Sequence, residues 1–223
     1  MAVTDEAIER IKEMVVSGQL QPGERLPKED KLATKLGISR SSLREAVRAL
    51  SLVRILDVRQ GDGTYVTSLR PELLLDAVSF VIDFHRDDSV LQFLEVRRLL
   101  EPQATAKAAR EITAEKVCRL REILATAAAQ VDVKTFVAND LEFHKTIVGY
   151  CGNQVLASLL ESISGPTNRA RVWRGVTDQG SRERTLREHS AIVDALERKD
   201  PEVAAARCTV HIAGLEDWLR QAR

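Results

Sequence analysis

The spacing of apolar residues predicts that the first 70 positions form three short helices followed by a β-hairpin. In the first helix the apolar residues recur at helical spacing, at Ile8, Ile11, Met14 and Val15. The second helix, 29–36, is expected to stop at Gly37, and Ser39 is the expected N-cap of the third. Two short strands, 55–58 and 64–66, then flank a glycine-rich tip at 60–63.

Beyond Pro71 the pattern is almost entirely helical and carries no strand signal. Seven amphipathic segments are predicted, at 72–85, 89–110, 113–129, 132–151, 153–174, 180–199 and 201–221. Residues 68–71 form the expected linker. The fold class is therefore mainly α, with an N-terminal domain at 1–68 and, at 69–223, an all-α antiparallel helical bundle of about seven helices.

Composition narrows the classes of function. Lys and Arg together number 33, as do Asp and Glu, so bulk positive charge cannot drive nucleic-acid binding and any such site must be local. Aromatic residues make up only 4%, which argues against a base-stacking platform for single strands. Three widely spaced cysteines, no signal peptide and no long apolar run predict a cytoplasmic protein without a membrane segment.

The turn between the second and third helices is the first candidate for function. A tight turn that joins a short helix to a longer one is the arrangement in which the second helix enters the major groove of DNA. The start of that helix carries hydroxyls and arginines, at Ser39, Arg40, Ser41, Ser42 and Arg44. Residues 39–59 contain five arginines and two acidic residues, a local positive excess. The alternative is an ordinary three-helix fragment with arginines on its solvated face.

The run RLPKEDKLATKLGISRSSLREAVRALSLVRILDVRQGDGTYV strongly resembles the winged helix-turn-helix of the GntR family of bacterial transcription regulators. The resemblance covers residues 4–67. It implies base contacts by Arg40 and Arg44, other DNA contacts by the neighbouring hydroxyls, and a wing glycine in the minor groove. The implied DNA-binding residues are Ser39, Arg40, Ser41, Arg44 and Gly61.

Two positions depart from the family pattern. Asp30 stands where relatives often carry an arginine that helps to read the operator, and Arg54 stands where a glycine usually ends the recognition helix. If Arg54 keeps the left-handed backbone conformation of that glycine, it costs about 1 kcal/mol. A phosphate contact by Arg54 is the alternative interpretation.

Three of the four histidines fall on inward-facing stripes of the helical half. Asp140 and His144 are four residues apart on one helix face, and His189 and His211 lie on the faces of two later helices. Buried carboxylate and imidazole groups need a partner or a metal. From spacing alone, two interpretations stay open: a Zn²⁺, Ni²⁺ or Mn²⁺ site, and satisfied core histidines. His85 fits no pattern and is expected at a surface or between domains.

The helical half is similar to the FCD effector domain of the FadR-like branch of GntR regulators. The marks are Glu95–Pro102 (EVRRLLEP), Asp140–His144 (DLEFH), Glu188-His189 and His211. The resemblance implies a divalent metal, foremost zinc, held by Asp140, His144, His189 and His211. It also implies that Arg97 lines a cavity where a small carboxylate binds beside the ion.

The effector cavity has further candidate residues. Asn168 and Arg171 are suggested by their positions in the helical half. For Arg97 the alternative to a cavity role is a helix-surface salt bridge with Glu101, four residues on. Asn168 and Arg171 lie outside the motifs that carry the resemblance.

Taken together, these features predict a ligand-responsive, homodimeric repressor rather than an enzyme. Two recognition helices would meet a pseudo-palindromic operator in double-stranded DNA. One alternative is a metal-dependent hydrolase in which the aspartate and histidines hold a catalytic ion, with Glu188 as a candidate base. Another is a purely structural or metal-storage bundle in which the ion only braces the helices.

Overall fold

Residues 3–70 and 90–222 are the part of the chain that the computed structural model describes, and they belong to two separate units. The predicted helix at 72–85 and His85 lie outside these described residues. The prediction of a mainly helical chain with a small hairpin in its N-terminal unit is confirmed. None of the described helices is long and apolar enough to cross a bilayer.

Three helices make up most of the N-terminal unit: α1 (Val3–Val16), α2 (Glu29–Leu36) and α3 (Arg40–Leu52). Helix α2 ends at Gly37, whose φ of 65° is the left-handed conformation that glycine adopts without strain. Helix α3 begins at its N-cap Ser39, whose side chain accepts a hydrogen bond from the Ser42 amide at 3.0 Å. Both predicted helix ends are therefore confirmed.

An antiparallel hairpin completes this unit, with β1 (Leu56–Arg59) paired to β2 (Gly63–Val66). The predicted strand at 55–58 is displaced from β1 by one residue, and the one predicted at 64–66 lacks only the first residue of β2. Arg25 forms an isolated bridge with Tyr65 in β2, and its guanidinium donates to the carbonyl of Asp62 at the tip. A Cβ atom at Gly63 would lie 2.5 Å from the Arg25 Nε, so any larger residue here would displace the Arg25 side chain from the tip.

The core of the N-terminal unit joins all three helices to the hairpin. Ile11 of α1, Leu32 of α2 and Leu43 of α3 are almost fully buried together with Leu56 and Val66 of the strands. Burial of a leucine-sized side chain contributes about 1.5–3 kcal/mol, so this cluster fixes the orientation of α3. The opposite face of α3 is left to solvent, including Arg40 and Arg44.

Seven helices are described in the C-terminal unit: α4 (Val90–Glu111), α5 (Ala114–Ala129), α6 (Val133–Gly149), α7 (Gln154–Ser162), α8 (Ser164–Thr177), α9 (Ser181–Glu197) and α10 (Pro201–Gln221). Side chains cap four of their N-termini, at Thr113, Asp132, Asn153 and Asp200. Helix α10 packs along α4 and α9, while α6 packs against α4, α5 and α8.

The prediction of one continuous helix over 153–174 is wrong. Helix α7 ends at Ser162 and α8 begins at Ser164, with Ile163 between them at φ −93° and ψ 0°. Pro166 explains the break, because proline has no amide hydrogen and obstructs the carbonyl four residues earlier in a continuous helix. In the first turn of α8 that amide needs no helical partner, so proline is tolerated there.

Arg54, just after α3, has a φ of 60° and so adopts the left-handed conformation. The carbonyl of Arg54 accepts a hydrogen bond from the Thr67 hydroxyl at 2.7 Å, which ties the end of the recognition helix to the end of the wing. The sequence left open whether Arg54 keeps the left-handed conformation of the family's glycine, and the structure shows that it does. An L-residue in this conformation costs about 1–2 kcal/mol.

Replacing Arg54 with glycine should raise the free energy of unfolding by about 0.5–1 kcal/mol, because relief of the strained backbone exceeds the added entropy of the unfolded chain. Native-state hydrogen exchange of the α3 amides in the full chain measures this change. Arg54→Ala is the matched control, since it removes the charge and keeps the strain. Equal protection in the glycine and alanine variants would show that the conformation carries no cost.

Candidate metal centre and nucleic-acid interface

The residues predicted to contact DNA all lie on exposed parts of the N-terminal unit. Ser39, Arg40, Ser41 and Arg44 occupy the N-terminal turns of α3, and Gly61 lies at the hairpin tip with a φ of 78°. The Ser39 hydroxyl is already used as the N-cap and is also hydrogen-bonded to the Ser42 hydroxyl at 2.8 Å. It therefore orients the first turn of α3 as well as facing solvent.

Arg44 is held in place by an exposed ion pair. Its Nε donates to Glu29 Oε2 of α2 at 2.9 Å, and the Arg44 side chain is 65% exposed. The hydrogen bond with Glu29, followed by the charge of that carboxylate, raises the pKa of Arg44 above its ordinary value. An exposed pair contributes little stability, so a nucleic acid can compete for this guanidinium. Arg40 forms no ion pair with any described residue.

Asp30 lies exposed in the first turn of α2. A carboxylate there interacts favourably with the positive end of the helix dipole. It does not supply the cation that relatives place at this position. Any operator contact from this part of α2 therefore needs another side chain.

In the C-terminal unit, four buried side chains converge from three helices. Asp140 and His144 project from α6, His189 from α9 and His211 from α10, and one ligand atom of each lies within 4.8 Å of the others. The His211 Nε2 lies 3.2 Å from the Nε2 atoms of both other histidines. The Asp140 Oδ1 lies 3.4 Å from His189 Nε2 and 3.8 Å from His144 Nε2.

These separations match the ligand sphere of a small divalent ion. With metal–ligand bonds of about 2.0–2.1 Å, tetrahedral geometry sets neighbouring ligand atoms about 3.3–3.4 Å apart. The four side chains together offer one carboxylate oxygen and three imidazole nitrogens, a donor set that suits Zn²⁺ and related ions. The geometry is therefore compatible with a metal site that no single helix could form.

Two carboxylates orient the imidazoles. Glu101 of α4 pairs with His144 Nδ1, and Glu188 of α9 lies 2.7 Å from His211 Nδ1. A carboxylate at Nδ1 favours the tautomer that carries its proton there, which leaves the Nε2 lone pair free. The lone pairs of His144 and His211 would then face each other at 3.2 Å. Such an arrangement is repulsive without a shared cation, which is the chemical reason that these residues fit a metal.

Burial and nearby charges lower the pKa values of His189 and Glu101. Burial is the main cause that holds the pKa of His189 well below its ordinary value, and the charges of His211 and His144 add to it. Burial alone would raise the pKa of the Glu101 carboxyl, but Arg97 and His144 outweigh it and the net pKa is lowered. A neutral His189 and an ionised Glu101 are the forms that bind a metal and orient its ligands.

Two buried arginines lie against the same cluster. Arg97 is 1% exposed and its Nη2 lies 2.7 Å from Glu101 Oε2, while Arg171 Nε lies 2.9 Å from Asp140 Oδ2. The alternative predicted for Arg97, a helix-surface salt bridge with Glu101, has the right partner. The ion pair is buried, however, and does not lie at the helix surface. The Nη1 of Arg97 has no hydrogen-bond partner among the described residues. Buried polar groups without a partner are costly, so this nitrogen is available to a ligand.

A cavity opens beside the four converging side chains. Asp140 and His211 line it together with Arg97, Arg171 and Arg174. Its remaining walls combine the apolar side chains of α6 and α10 with polar groups of α9. It is therefore a pocket with guanidinium groups next to the candidate metal ligands, an arrangement that favours a small anion.

Asn168 does not line this cavity. The inward face of α8 carries Thr167, Arg171 and Arg174, which are all buried. Asn168 follows Thr167 by one residue, about 100° around the helix, and is exposed. The structure thus brings Arg97 and Arg171 to the cavity and leaves Asn168 on the outside of the helix.

Sequence reasoning did not identify the roles that four residues of this region have in the structure. Glu101 and Glu188 orient the histidines, and Arg174 and Ser181 line the cavity. The only signal for Glu188 was its position next to His189, because its partner His211 is on another helix. The helical period of α8 could have indicated Arg174, since it lies three residues after Arg171 on the same face.

Comparison with protein families gives two matches that together span most of the chain. Residues 3–66 match the family model "Bacterial regulatory proteins, gntR family", and residues 92–214 match that of the FCD domain. The second match alone covers more than half of the 223 residues. Its limits enclose all four converging side chains.

Several known proteins are similar to nearly the whole chain. The HTH-type transcriptional regulator LutR of Bacillus subtilis is 28% identical over 92% of this chain and 96% of its own. The galactonate operon transcriptional repressor of Escherichia coli is 27% identical over 98% of this chain and 97% of its own. The solved structure of Streptococcus agalactiae GntR is 28% identical, with a TM-score of 0.72 over 96% of this chain and 99% of that one.

Substituting His189 or His211 with alanine should lower the zinc retained after dialysis, because each change removes one of four converging donors. Inductively coupled plasma mass spectrometry gives the ion content, and circular dichroism verifies that each variant is folded. Cys118→Ala is the control, since it removes an exposed potential metal ligand that lies outside the cluster. Folded variants with as much zinc as the parent would exclude this ligand set.

Proposed function

The chain belongs to the GntR family of bacterial transcription regulators, with an FCD domain in its second unit, and from this premise we propose that it is a ligand-responsive repressor. Its family consists of DNA-binding regulators, so it is a transcription regulator and not an enzyme. The hydrolase alternative is therefore set aside. The proposal concerns the operator contacts, the ion, the effector and the coupling between them.

The N-terminal domain, at 1–68, reads the operator. The exposed arginines of α3 enter the major groove, where Arg40 and Arg44 grip base edges while Ser39 and Ser41 contact DNA. Gly61 at the hairpin tip approaches the minor groove, where the absence of a side chain allows close contact. Two copies of the chain form a homodimer on a pseudo-palindromic site, as two-fold protein symmetry requires. The protein then acts in the cytoplasm, where bacterial DNA lies.

The C-terminal domain, at 69–223, holds a divalent ion on Asp140, His144, His189 and His211. The single observation that carries this proposal is the approach of their four ligand atoms next to a cavity lined by arginines. One carboxylate and three imidazoles favour zinc, with nickel and manganese as the other candidates. When bound, the ion supplies open coordination positions for a carboxylate oxygen.

The effector is a small organic acid that binds in the cavity. Arg97 offers a nitrogen without a partner, and Arg171 lies beside Asp140 on the same wall. Guanidinium groups recognise carboxylates through paired hydrogen bonds, which orient the acid toward the ligand cluster. The name of one similar protein refers to an operon for galactonate, itself a carboxylic acid. Asn168 is left out of this proposal because it is exposed on the far side of α8.

Effector binding alters operator affinity through its differential affinity for two arrangements of the dimer. The chain's own contribution is an exchange of ion pairs. Arg97 binds Glu101 and Arg171 binds Asp140, and both guanidinium groups would be shared with the carboxylate of the acid. A coupling free energy of about 1–3 kcal/mol changes operator affinity about 5- to 150-fold. The alternative of a purely structural ion predicts no response to any acid.

Arg40→Ala and Arg44→Ala should each weaken specific operator binding by about 1–3 kcal/mol, because each would lose a bidentate contact with a base. Fluorescence anisotropy with duplex DNA from upstream of the chain's own gene measures the affinity at a fixed salt concentration. The control is Arg119→Ala, which removes an exposed arginine from α5 in the other unit. If both α3 variants kept the parent affinity, these residues would not read the operator.

Small carboxylates should release the zinc-loaded protein from its operator, and the primary amide of the same acid should not. The amide keeps the size of the ligand but removes the charge that Arg97 and Arg171 recognise. A gel-shift screen of acid and amide pairs, with thermal shift of the same samples, provides the measurement. A protein that neither leaves DNA nor gains thermal stability with any acid would fit the purely structural ion instead.

A further inference from the structure

Polar residues on α9 extend the cavity well beyond the candidate metal ligands. Ser181, Thr185 and His189 follow one another at intervals of four residues, so they lie along one face of the helix. Ser181 and Thr185 both line the cavity, in which His211 and Asp140 form the metal-side end. A rise of 1.5 Å per residue places Ser181 about 12 Å along the helix axis from His189. The cavity therefore has a second end, two helical turns from the ligand cluster.

The N-terminus of α9 lies at this second end and has no side-chain cap. Its N-cap is Gly180, with a φ of 87°, and no side chain accepts from the first turn. The Ser181 amide is bonded to the Asp178 carbonyl at 3.1 Å, whereas the amides of Arg182 and Glu183 have no carbonyl partner within the described parts of the chain. Unpaired amides at the start of a 17-residue helix attract an anion.

Ser181 gives an independent sign that a ligand belongs here. The residue is only 5% exposed, yet it lines the cavity, and its hydroxyl makes no hydrogen bond to a residue in 3–70 or 90–222. A hydroxyl on a side chain this little exposed is normally hydrogen-bonded to the protein, because an unpaired polar group is unfavourable in the interior. A ligand atom at the end of the cavity would complete its hydrogen bonding.

The charge around this end is positive. Arg174, which is 7% exposed, and Arg182 both line the cavity. Asp178 is the nearby carboxylate, and it is shared by Arg174 Nε at 3.3 Å and Arg184 Nη2 at 3.0 Å. Three guanidinium groups thus accompany one carboxylate. Glu183 in the same turn is exposed and does not line the cavity.

We propose that this end of the cavity is a second anion site, formed by the α9 amides, Ser181 and Arg174, and that the effector is a dianion. This inference rests on the function proposed above: one carboxylate of the effector binds at the ligand cluster with Arg97 and Arg171. The second anionic group, a carboxylate or a phosphate, binds at the start of α9. The apolar walls from α6 and α10 contact the carbon chain between the two groups.

The test compares diacids with monoacids of the same length on the zinc-loaded full chain. Isothermal titration calorimetry with unbranched diacids of four to eight carbons, from succinate to suberate, against the monoacids of the same lengths, from butyrate to octanoate, gives the preference for a second charge. We expect the best diacid to bind about tenfold or more tightly than its monoacid, since a charged group gains charge-assisted hydrogen bonds at the second site. The compound 3-phosphonopropionate replaces one carboxylate of succinate with a phosphonate and so distinguishes the two anion chemistries.

Two variants assign that preference to the second site. Ser181→Ala removes the free hydroxyl and should reduce the diacid preference while leaving the affinity for monoacids unchanged. Arg174→Gln removes a charge and should lower the affinity for diacids more than the affinity for monoacids. Ser190→Ala is the matched control, because it is a serine of the same helix that does not line the cavity. The affinity for monoacids also verifies that each variant is folded and loaded with zinc.

The outcomes separate this inference from the proposed function. Monoacids that bind as tightly as diacids at every length, or a diacid preference that survives both substitutions, would overturn the second site and leave the single-carboxylate effector in place. If no acid of either kind binds the zinc-loaded protein, the effector function and the second site both fail. Tighter binding of 3-phosphonopropionate than of succinate would support the site and assign a phosphate to it.

Discussion

The buried charges of the helical unit are the constraint on which its organisation depends. Arg97, Glu101, Asp140 and Arg171 are all almost completely removed from water, and each is paired with an opposite charge or an imidazole. A buried charge is tolerated only when such partners are present, so α4, α6 and α8 must keep their positions relative to one another. Glu101 and Asp140 also contact the histidines, whose Nε2 atoms converge from three helices.

This arrangement also explains why an anionic effector suits the cavity. The protein charges nearly balance without an ion, since the carboxylates are matched by guanidinium groups. A divalent cation on Asp140 and the histidines would add positive charge to a pocket that already carries Arg97, Arg171 and Arg174. Sensing and metal binding are then linked by electrostatics within one cavity, and a loss of the ion would weaken the attraction for the acid.

The N-terminal unit relies on local interactions instead, and these were largely predictable. The stop at Gly37 and the cap at Ser39 depend on residues a few positions apart, and so does the unusual conformation of Arg54. The break in the predicted helix at 153–174 depends on Pro166, which is also a local signal. Sequence reasoning failed there because the spacing of apolar residues stays helical across the break, whereas the helix itself is interrupted.

The sequence by itself determined the order of the helices, the helix-turn-helix and wing, and the identity of the four candidate metal ligands. The helices and the helix-turn-helix follow from periodicity and capping residues, whereas the set of four candidate ligands was implied by the resemblance to the FCD domain. Only the tertiary structure decided that Glu101 and Glu188 orient His144 and His211, that Arg97 is buried, and that Asn168 points away. Those facts depend on which helix faces pack together, because residues as far as 118 positions apart, such as Arg98 and Glu216, meet across the bundle.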